Sequence, residues 1–500
     1  MTMRCPGPVR IAAIAAGLLA TDTLSAGAQG VRVTGTTTAR YLELRPMVDD
    51  SVPADSATGE GTLRETSRGV VAFCGAGEAW CHYKRTADAP IGSLPLLQDL
   101  DASLWGLGEG IHARIHLRGR VDAGTASSLW PQGDDAFDVI AAYVSYERDR
   151  VRARLGRQWR TSGLGYTSFD GLAVEGRLPV LRDALSVDGW VGRSLVQGLH
   201  EPVSSGAIAA VEDLAPERAG VLIGAQAHYR PRPGAGVSLA YQRELRSDRS
   251  WLYSERMAAD ASMRIGRSGT IEGALELDLA TGDFNEARIR GQHPVGAGFT
   301  ANAQLRRYRP FFELWTIWGA FSPVGFTEAS GGLAWTGAAS RLAVAADGGW
   351  RRYDEPDAGA DFLAMKSDGW RLGADAQWRV RPAWVAHGSW RTDIGFGASR
   401  TDGDLGVRWQ RGADAWLGAV ASAFQSVGEF RVGTGRVVGV GFDGGMRVRD
   451  DVNLSGDAAV YRHVYGDLAP ATDWSQLRGS LRIEWTIGAD PGMTAQGAAR

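Results

Sequence analysis

Three things are scarce in this 500-residue chain, and each scarcity removes a class of protein. Cysteine occurs only three times, at Cys5, Cys74 and Cys81, so neither a disulfide-dense scaffold nor a four-thiolate metal centre can be built. Lysine is restricted to Lys84 and Lys366, every other basic residue being arginine, and the formal net charge is only −3. A near-neutral chain has no electrostatic footprint for nucleic acid, so no nucleic-acid partner is expected. No segment offers the roughly eighteen uninterrupted apolar residues that a membrane-spanning helix needs. The eight histidines are scattered, and no Gly-x-Ser-x-Gly elbow or His-Glu-x-x-His run occurs. The chain is therefore not expected to be an enzyme, and no cofactor or metal is expected.

The first residues carry Arg4 and Arg10, an apolar run from Ile11 to Ala20, and the small-residue site Ala26-Gly27-Ala28. This order reads as a signal peptide over 1–28, cleaved after Ala28. Export suits the cysteine usage: Cys74 and Cys81 are expected to pair in an oxidising compartment, with free thiols as the alternative. His82 follows Cys81, but six residues between the cysteines do not make a haem-attachment motif, and one Cys-Cys-His cluster lacks a fourth zinc ligand.

What the chain does have is glycine, 67 residues, tryptophan, 18 residues, and a period of two. Near the end, Leu477, Gly479, Leu481, Ile483, Trp485 and Ile487 interleave with Gln476, Arg478, Ser480, Arg482, Glu484 and Thr486. One face is oily and the other polar, as in a strand between lipid and water. The same rule places Trp370, Leu372, Ala374, Ala376 and Trp378 against Arg371, Gly373, Asp375, Gln377 and Arg379, and Leu405, Val407 and Trp409 against Asp404, Arg408 and Gln410. Each run is about ten residues, the length that crosses a bilayer at a barrel's tilt. Short breaks, such as Gly266-Arg267-Ser268-Gly269, Arg309-Pro310 and Arg411-Gly412-Ala413-Asp414, alternate with longer connections near 46–95, 122–135, 195–219, 281–297, 352–368 and 465–474. A soluble propeller would show a repeat of about forty residues, and none is present.

The expected fold is all-β: a transmembrane antiparallel up-and-down β-barrel of about 22 strands, within 18 to 26, with short periplasmic turns and longer extracellular loops. The expected layout is a signal peptide 1–28, a barrel 29–487 containing the long loop 46–95 with Cys74 and Cys81, and a disordered tail 488–500. The first strand, near Val31 to Leu44, should pair with the last. Localisation in the cell outer membrane of a Gram-negative bacterium follows, with lipid and lipopolysaccharide as partners.

The sharpest local feature is the alternation of His112, Arg114, His116, Arg118 and Arg120 with apolar residues. Facing a lumen, these form a basic ladder, extended by Arg152 and Arg154 and joined from the last strand by Arg478, Arg482 and Glu484. Such a ladder favours anions, unless carboxylates on adjacent strands neutralise it. Loop 46–95 could fold inward as a constriction or outward as a cap, but is too short for the separate plug of a TonB-dependent transporter.

Gly156-Arg157-Gln158, a loop through Ser162-Gly163-Leu164-Gly165, and Phe169-Asp170-Gly171 together resemble a hairpin of alginate-export-type porins and related large outer-membrane barrels. The resemblance spans Gly156 to Val174. In that family charged lumen residues conduct an anionic polysaccharide. The resemblance makes Arg157 and Asp170 a candidate lumen-facing charge pair; the other reading is a salt bridge that fixes the loop. The chain departs from many outer-membrane barrels in lacking a terminal aromatic residue, a part Trp485 could play.

The expected function is a porin-like channel, monomer or homotrimer, for small hydrophilic, anionic solutes or saccharides. Two alternatives stand beside it: a sheath around a periplasmic multihaem cytochrome, which would have to be a separate partner, and a plugged structural or adhesion barrel.

Overall fold

The computed structural model describes residues 30–45, 47–59, 61–66, 71–75, 77, 79–87, 89–123, 137–195, 220–245, 252–309, 324–337, 341–355, 366–429, 433–465 and 473–488. The expected signal peptide and most of the expected tail lie outside these residues. The alternation is realised as a closed antiparallel barrel of 22 strands. It begins with Gly30–Leu44 and a second strand, Ile91–Ser93 continuing as Pro95–Gly108, and ends with Trp474–Gly488. Consecutive strands pair in order around the cylinder, and the last closes on the first from Arg32↔Gly488 to Leu42↔Arg478. Closure leaves no unpaired edge, the condition for placing strands in lipid.

The period of two decides which side chains face out. Leu405 is 71 % exposed, Phe442 65 % and Leu155 64 %, values that make sense only on a surface meant for lipid. Trp370, Trp378 and Trp384 stand on this outer surface near the strand ends, as in an aromatic girdle. Glycine lets large residues lie flat across the sheet. Trp485 pairs directly with Gly35, and its indole occupies the space that a Cβ there would take.

The connections alternate in length. One rim carries two-residue turns such as Asp149-Arg150, between Phe137–Arg148 and Val151–Ser162, and both described chain ends. The other carries the long connections, including the one after Gly30–Leu44. That segment, expected as a loop over 46–95, is instead a small antiparallel sheet of five strands: Met47–Pro53, Ala57–Thr58, Leu63–Thr66, Val71–Cys74 and Trp80–Ala87. Cys74 and Cys81 sit opposite each other in register with their sulfurs bonded, and both pack with Ala57 and Ala72 in its core. Residues from Ile91 onward already belong to the barrel wall.

Two further boundaries are corrected. Residues 281–297, expected as a loop, contain the wall strand Asp283–Gly296. Its outward face carries Ile289 and Val295 but is interrupted by Ala287 and Gly291, a bulge shifts register near Phe284, and Pro294 stands beside another shift. Arg309-Pro310, expected as a short turn, opens the connection over 309–325 on the long-connection rim.

Candidate functional site

The lumen is built from the polar half of each alternation. On Ile111–Asp122, Ile115 and Val121 point outward, so His112, Arg114, His116, Arg118 and Arg120 point inward. The ladder is present but does not stand alone. Arg114 makes a bidentate contact to Asp101 at 3.0 and 2.5 Å, while Arg118 and His116 both reach Asp99, at 2.9 and 3.3 Å. Asp99 and Asp101 come from the neighbouring strand Pro95–Gly108, where Asp99 lies opposite Arg118 and Asp101 opposite His116. Arg152 is held by Glu147 at 2.9 Å and approaches Glu175 at 3.8 Å, and Arg482 bonds Glu484. The basic ladder is thus a lumen of crossed charge. Two arginines depart from the rule: Arg154 lies 5.4 Å from the Tyr143 ring centre, and Arg478 bonds Gln476 at 2.8 Å and lies 5.2 Å from the Tyr461 ring. His112 carries a buried Nδ1 without a hydrogen-bond partner among the described residues. The pairs of Arg152 and Arg482 are exposed and add little stability, while those of Arg114 and His116 are partly buried; together they set the field in the pore.

Another feature of the lumen is a hairpin that leaves the wall. Strand Val151–Ser162 starts as wall, with Val151 and Leu155 exposed outward and Arg152 inward. At Gly156 the backbone takes φ 126°, and a Cβ there would collide with the Ala142 carbonyl oxygen. Gly156 faces Gly171, which in turn faces Gly192, and Cβ atoms at those two positions would also collide with neighbouring carbonyls. This row of glycines lets the sheet bend. Beyond it the hairpin leaves the wall: pairing to Phe137–Arg148 stops at Arg157, and pairing to Leu185–Ser194 stops at Phe169.

The freed hairpin, 157–170, lies inside the barrel. Thr167 Oγ1 donates to Gln242 Oε1 at 2.8 Å, Arg160 reaches Asp188 at 3.5 Å, and Leu164 is buried against Ala240 and Ala258. All four wall partners sit on inward-facing positions. Phe169 is fully buried with Ala173, Trp190 and Leu222 between hairpin and wall. The opposite hairpin face meets the basic strand, where the Arg114 guanidinium lies 5.2 Å from the Trp159 ring centre.

The two halves of the hairpin motif face each other residue for residue: Gly156↔Gly171, Arg157↔Asp170 and Gln158↔Phe169. Arg157 grips Asp170 through Nε and Nη2 at 2.8 and 2.9 Å and donates to the Val139 carbonyl at 3.0 Å. Gln158, fully buried, donates to the carbonyl oxygens of Arg154 and Gly171 at 3.2 and 3.0 Å. Each part has a mechanical role. The glycines make the bend, the glutamine satisfies carbonyls at it, and the Arg157–Asp170 clamp holds the two arms together on the face shared with Trp159.

A signal for this hairpin stands in the sequence. Val151, Ala153 and Leu155 begin an outward face that would continue as Arg157, Trp159 and Thr161. An arginine in mid-membrane on the lipid face is costly, so the strand must leave the wall there.

No family model matches the chain, and no curated protein matches it. Solved structures similar to it include an anion-selective porin from Comamonas acidovorans, 13% identical, covering 91% of this chain and 99% of that one at a TM-score of 0.29. OccK3 (OpdO) of Pseudomonas aeruginosa is 10% identical over 93% of this chain and 98% of its own, with a TM-score of 0.37. A ferric enterobactin receptor (PfeA) of Pseudomonas aeruginosa is 10% identical over 92% of this chain and 81% of its own, with a TM-score of 0.47.

Proposed function

We propose that the protein is an outer-membrane channel that passes small hydrophilic solutes by diffusion, narrowed by its inward-folded hairpin. The observation that carries this reading is the asymmetry of the lumen. The hairpin packs against one side of the wall, while on the facing side the charged side chains stay open to solvent, Arg391 at 65% and Arg482 at 50% side-chain exposure. A polar, solvated path beside a packed obstruction is the arrangement of a size-limited pore. A sheath for a multihaem cytochrome would need that lumen space for its partner, which disfavours the alternative. The outer belt of leucine, valine and tryptophan is the surface for lipid, with the long-connection rim, including the disulfide-bonded sheet, on the extracellular side.

For solute charge, the pairing of the ladder argues for weak selectivity. Arg154 and Arg478, held by aromatic rings instead of carboxylates, bias it toward anions. Purified protein in planar bilayers under a salt gradient tests both statements. Stepwise conductance with a reversal potential displaced modestly to the anion side is expected; absence of steps removes the channel, and cation preference removes the bias.

A further inference from the structure

Below the hairpin tip the lumen wall holds a second feature. A cavity of about 280 Å³ opens on the inward face of strands Val221–Arg232, Ala235–Leu245, Leu252–Ile265, Gly269–Asp278 and Asp283–Gly296. Its floor is made small by cross-strand register: Ser238 faces Asp260, which faces Ala274, and one level closer to the short turns Gly236 faces Ser262, which faces Glu272. The hairpin tip touches its edge, since Gly163 lies so close to the Asp260 carboxylate that a Cβ there would collide with it.

The charges around this floor are arranged unlike those of the ladder. Two guanidiniums, Arg230 and Arg288, and two carboxylates, Asp260 and Glu272, line it. Asp260 accepts a hydrogen bond from Ser238 at 3.3 Å, and Arg288 approaches Glu286 at 3.6 Å. Arg230 and Glu272 make no ion pair among the described residues, and Arg290, opposite Glu272 in register, makes none with it. Arg230 lies alongside Gly236, three strand spacings from the strand of Glu272, a backbone separation of about 14 Å. The carboxylates of the ladder meet arginines directly; here Arg230 and Glu272 stand at opposite ends of a shallow trough whose floor is glycine, serine and alanine apart from Asp260, with His228 and Arg288 also lining it.

We propose that this trough is a binding station for a small zwitterion of dipeptide size, its carboxylate taken by Arg230 and its ammonium by Glu272, with Ser238 and Ser262 offering hydroxyls between. The site rests on the channel reading and deepens it, because a solute narrowed by the hairpin would next meet this floor. The volume is several times the roughly 30 Å³ share of one water, and below that of a drug-sized pocket. Complementary charges fixed in advance favour a ligand carrying both signs over one carrying either.

Equilibrium dialysis on the folded, detergent-solubilised full-length protein tests this with alanylalanine, its N-acetylated form, which lacks the ammonium, and its C-terminal amide, which lacks the carboxylate. The zwitterion should bind at least tenfold more tightly than either relative. Arg230→Gln should erase the advantage over the amide, and Glu272→Gln the advantage over the acetylated form. Equal binding of alanylalanine and its acetylated form would overturn the proposal in favour of a plain anion site, and no binding of any of the three overturns it outright. Bilayer conductance measured on the same preparation separates the two readings: conductance without binding removes only the station, and binding without conductance removes only the channel.

Discussion

The two sides of the lumen differ in what their polar residues touch. Along the wall from Leu185 to Asp278, inward residues such as Asp188, Gln226, Gln242 and Glu244 are buried on the side against which the hairpin packs through Arg160, Leu164 and Thr167. From Leu342 to Gly488, inward arginines and carboxylates such as Arg391, Arg408 and Arg482 remain largely solvated in pairs. One alternation rule produced both walls, so the difference is not in the strands. It comes from a single bend at a row of glycines, which turns one hairpin from wall into obstruction.

Removing the obstruction is the strongest way to break this contrast. Replacing residues 158–169 with a two-residue turn should raise single-channel conductance several-fold and admit larger uncharged sugars in liposome swelling. Unchanged conductance would mean the hairpin does not limit the path. The paired character of the ladder is tested next. Arg114, Arg118 and Arg152 changed together to Gln would leave Asp99, Asp101, Glu147 and Glu175 uncompensated, so the reversal potential should cross to the cation side, not merely lose its anion bias. A shift without a change of sign would mean the carboxylates do not set the field.

A smaller effect concerns stability on the open side. Glu328, 1 % exposed, bonds Arg351, which also bonds Asp393 at 2.8 Å, and it lies 3.3 Å from Arg371. Glu328→Gln leaves two guanidiniums without their shared carboxylate and should destabilise the barrel by about 3 kcal/mol, read as a lower temperature for the loss of the compact form in heat-modifiability gels. The smallest expected change is at the rim. Hydrogen bonds from Arg307 at 2.5 Å hold the Asp354 carboxyl below its ordinary range. A depressed carboxylate contributes stability above the unfolded value of about 3.9 and loses it as pH falls through the folded one. Urea titrations at pH 7 and pH 2 should therefore differ less for Asp354→Asn than for the unaltered protein, by under about 1 kcal/mol because the pair is exposed.

The barrel was legible because lipid on one side and water on the other impose the period of two on almost every strand. Asp283–Gly296 escaped because Ala287 and Gly291 interrupt the apolar outward face of Ile289 and Val295, and register shifts near Phe284 and Pro294 break its period. The carboxylate partners of the ladder were in plain view at Asp99 and Asp101, but which of them meets which arginine depends on register, and register follows from turns and closure. The hairpin escaped for a third reason: its arms still pair with each other through a two-residue turn, so locally it looks like wall. Only the polar residues on its would-be lipid face, Arg157 and Thr161, mark the departure.

The closure of the cylinder has a consequence for how it is assembled. Gln476 donates to the Glu43 carbonyl, and Glu43 accepts from the Leu477 amide, both at 2.6 Å, across 433 and 434 residues of sequence. Such contacts carry a high loop-closure cost and form late. Until Trp474–Gly488 arrives, the free edge of Gly30–Leu44 is a sticky template, and the seam is a zipper in which Trp485 seats over Gly35. A chain ending before that strand would therefore fail as an aggregating open sheet, while all of its other hairpins were sound.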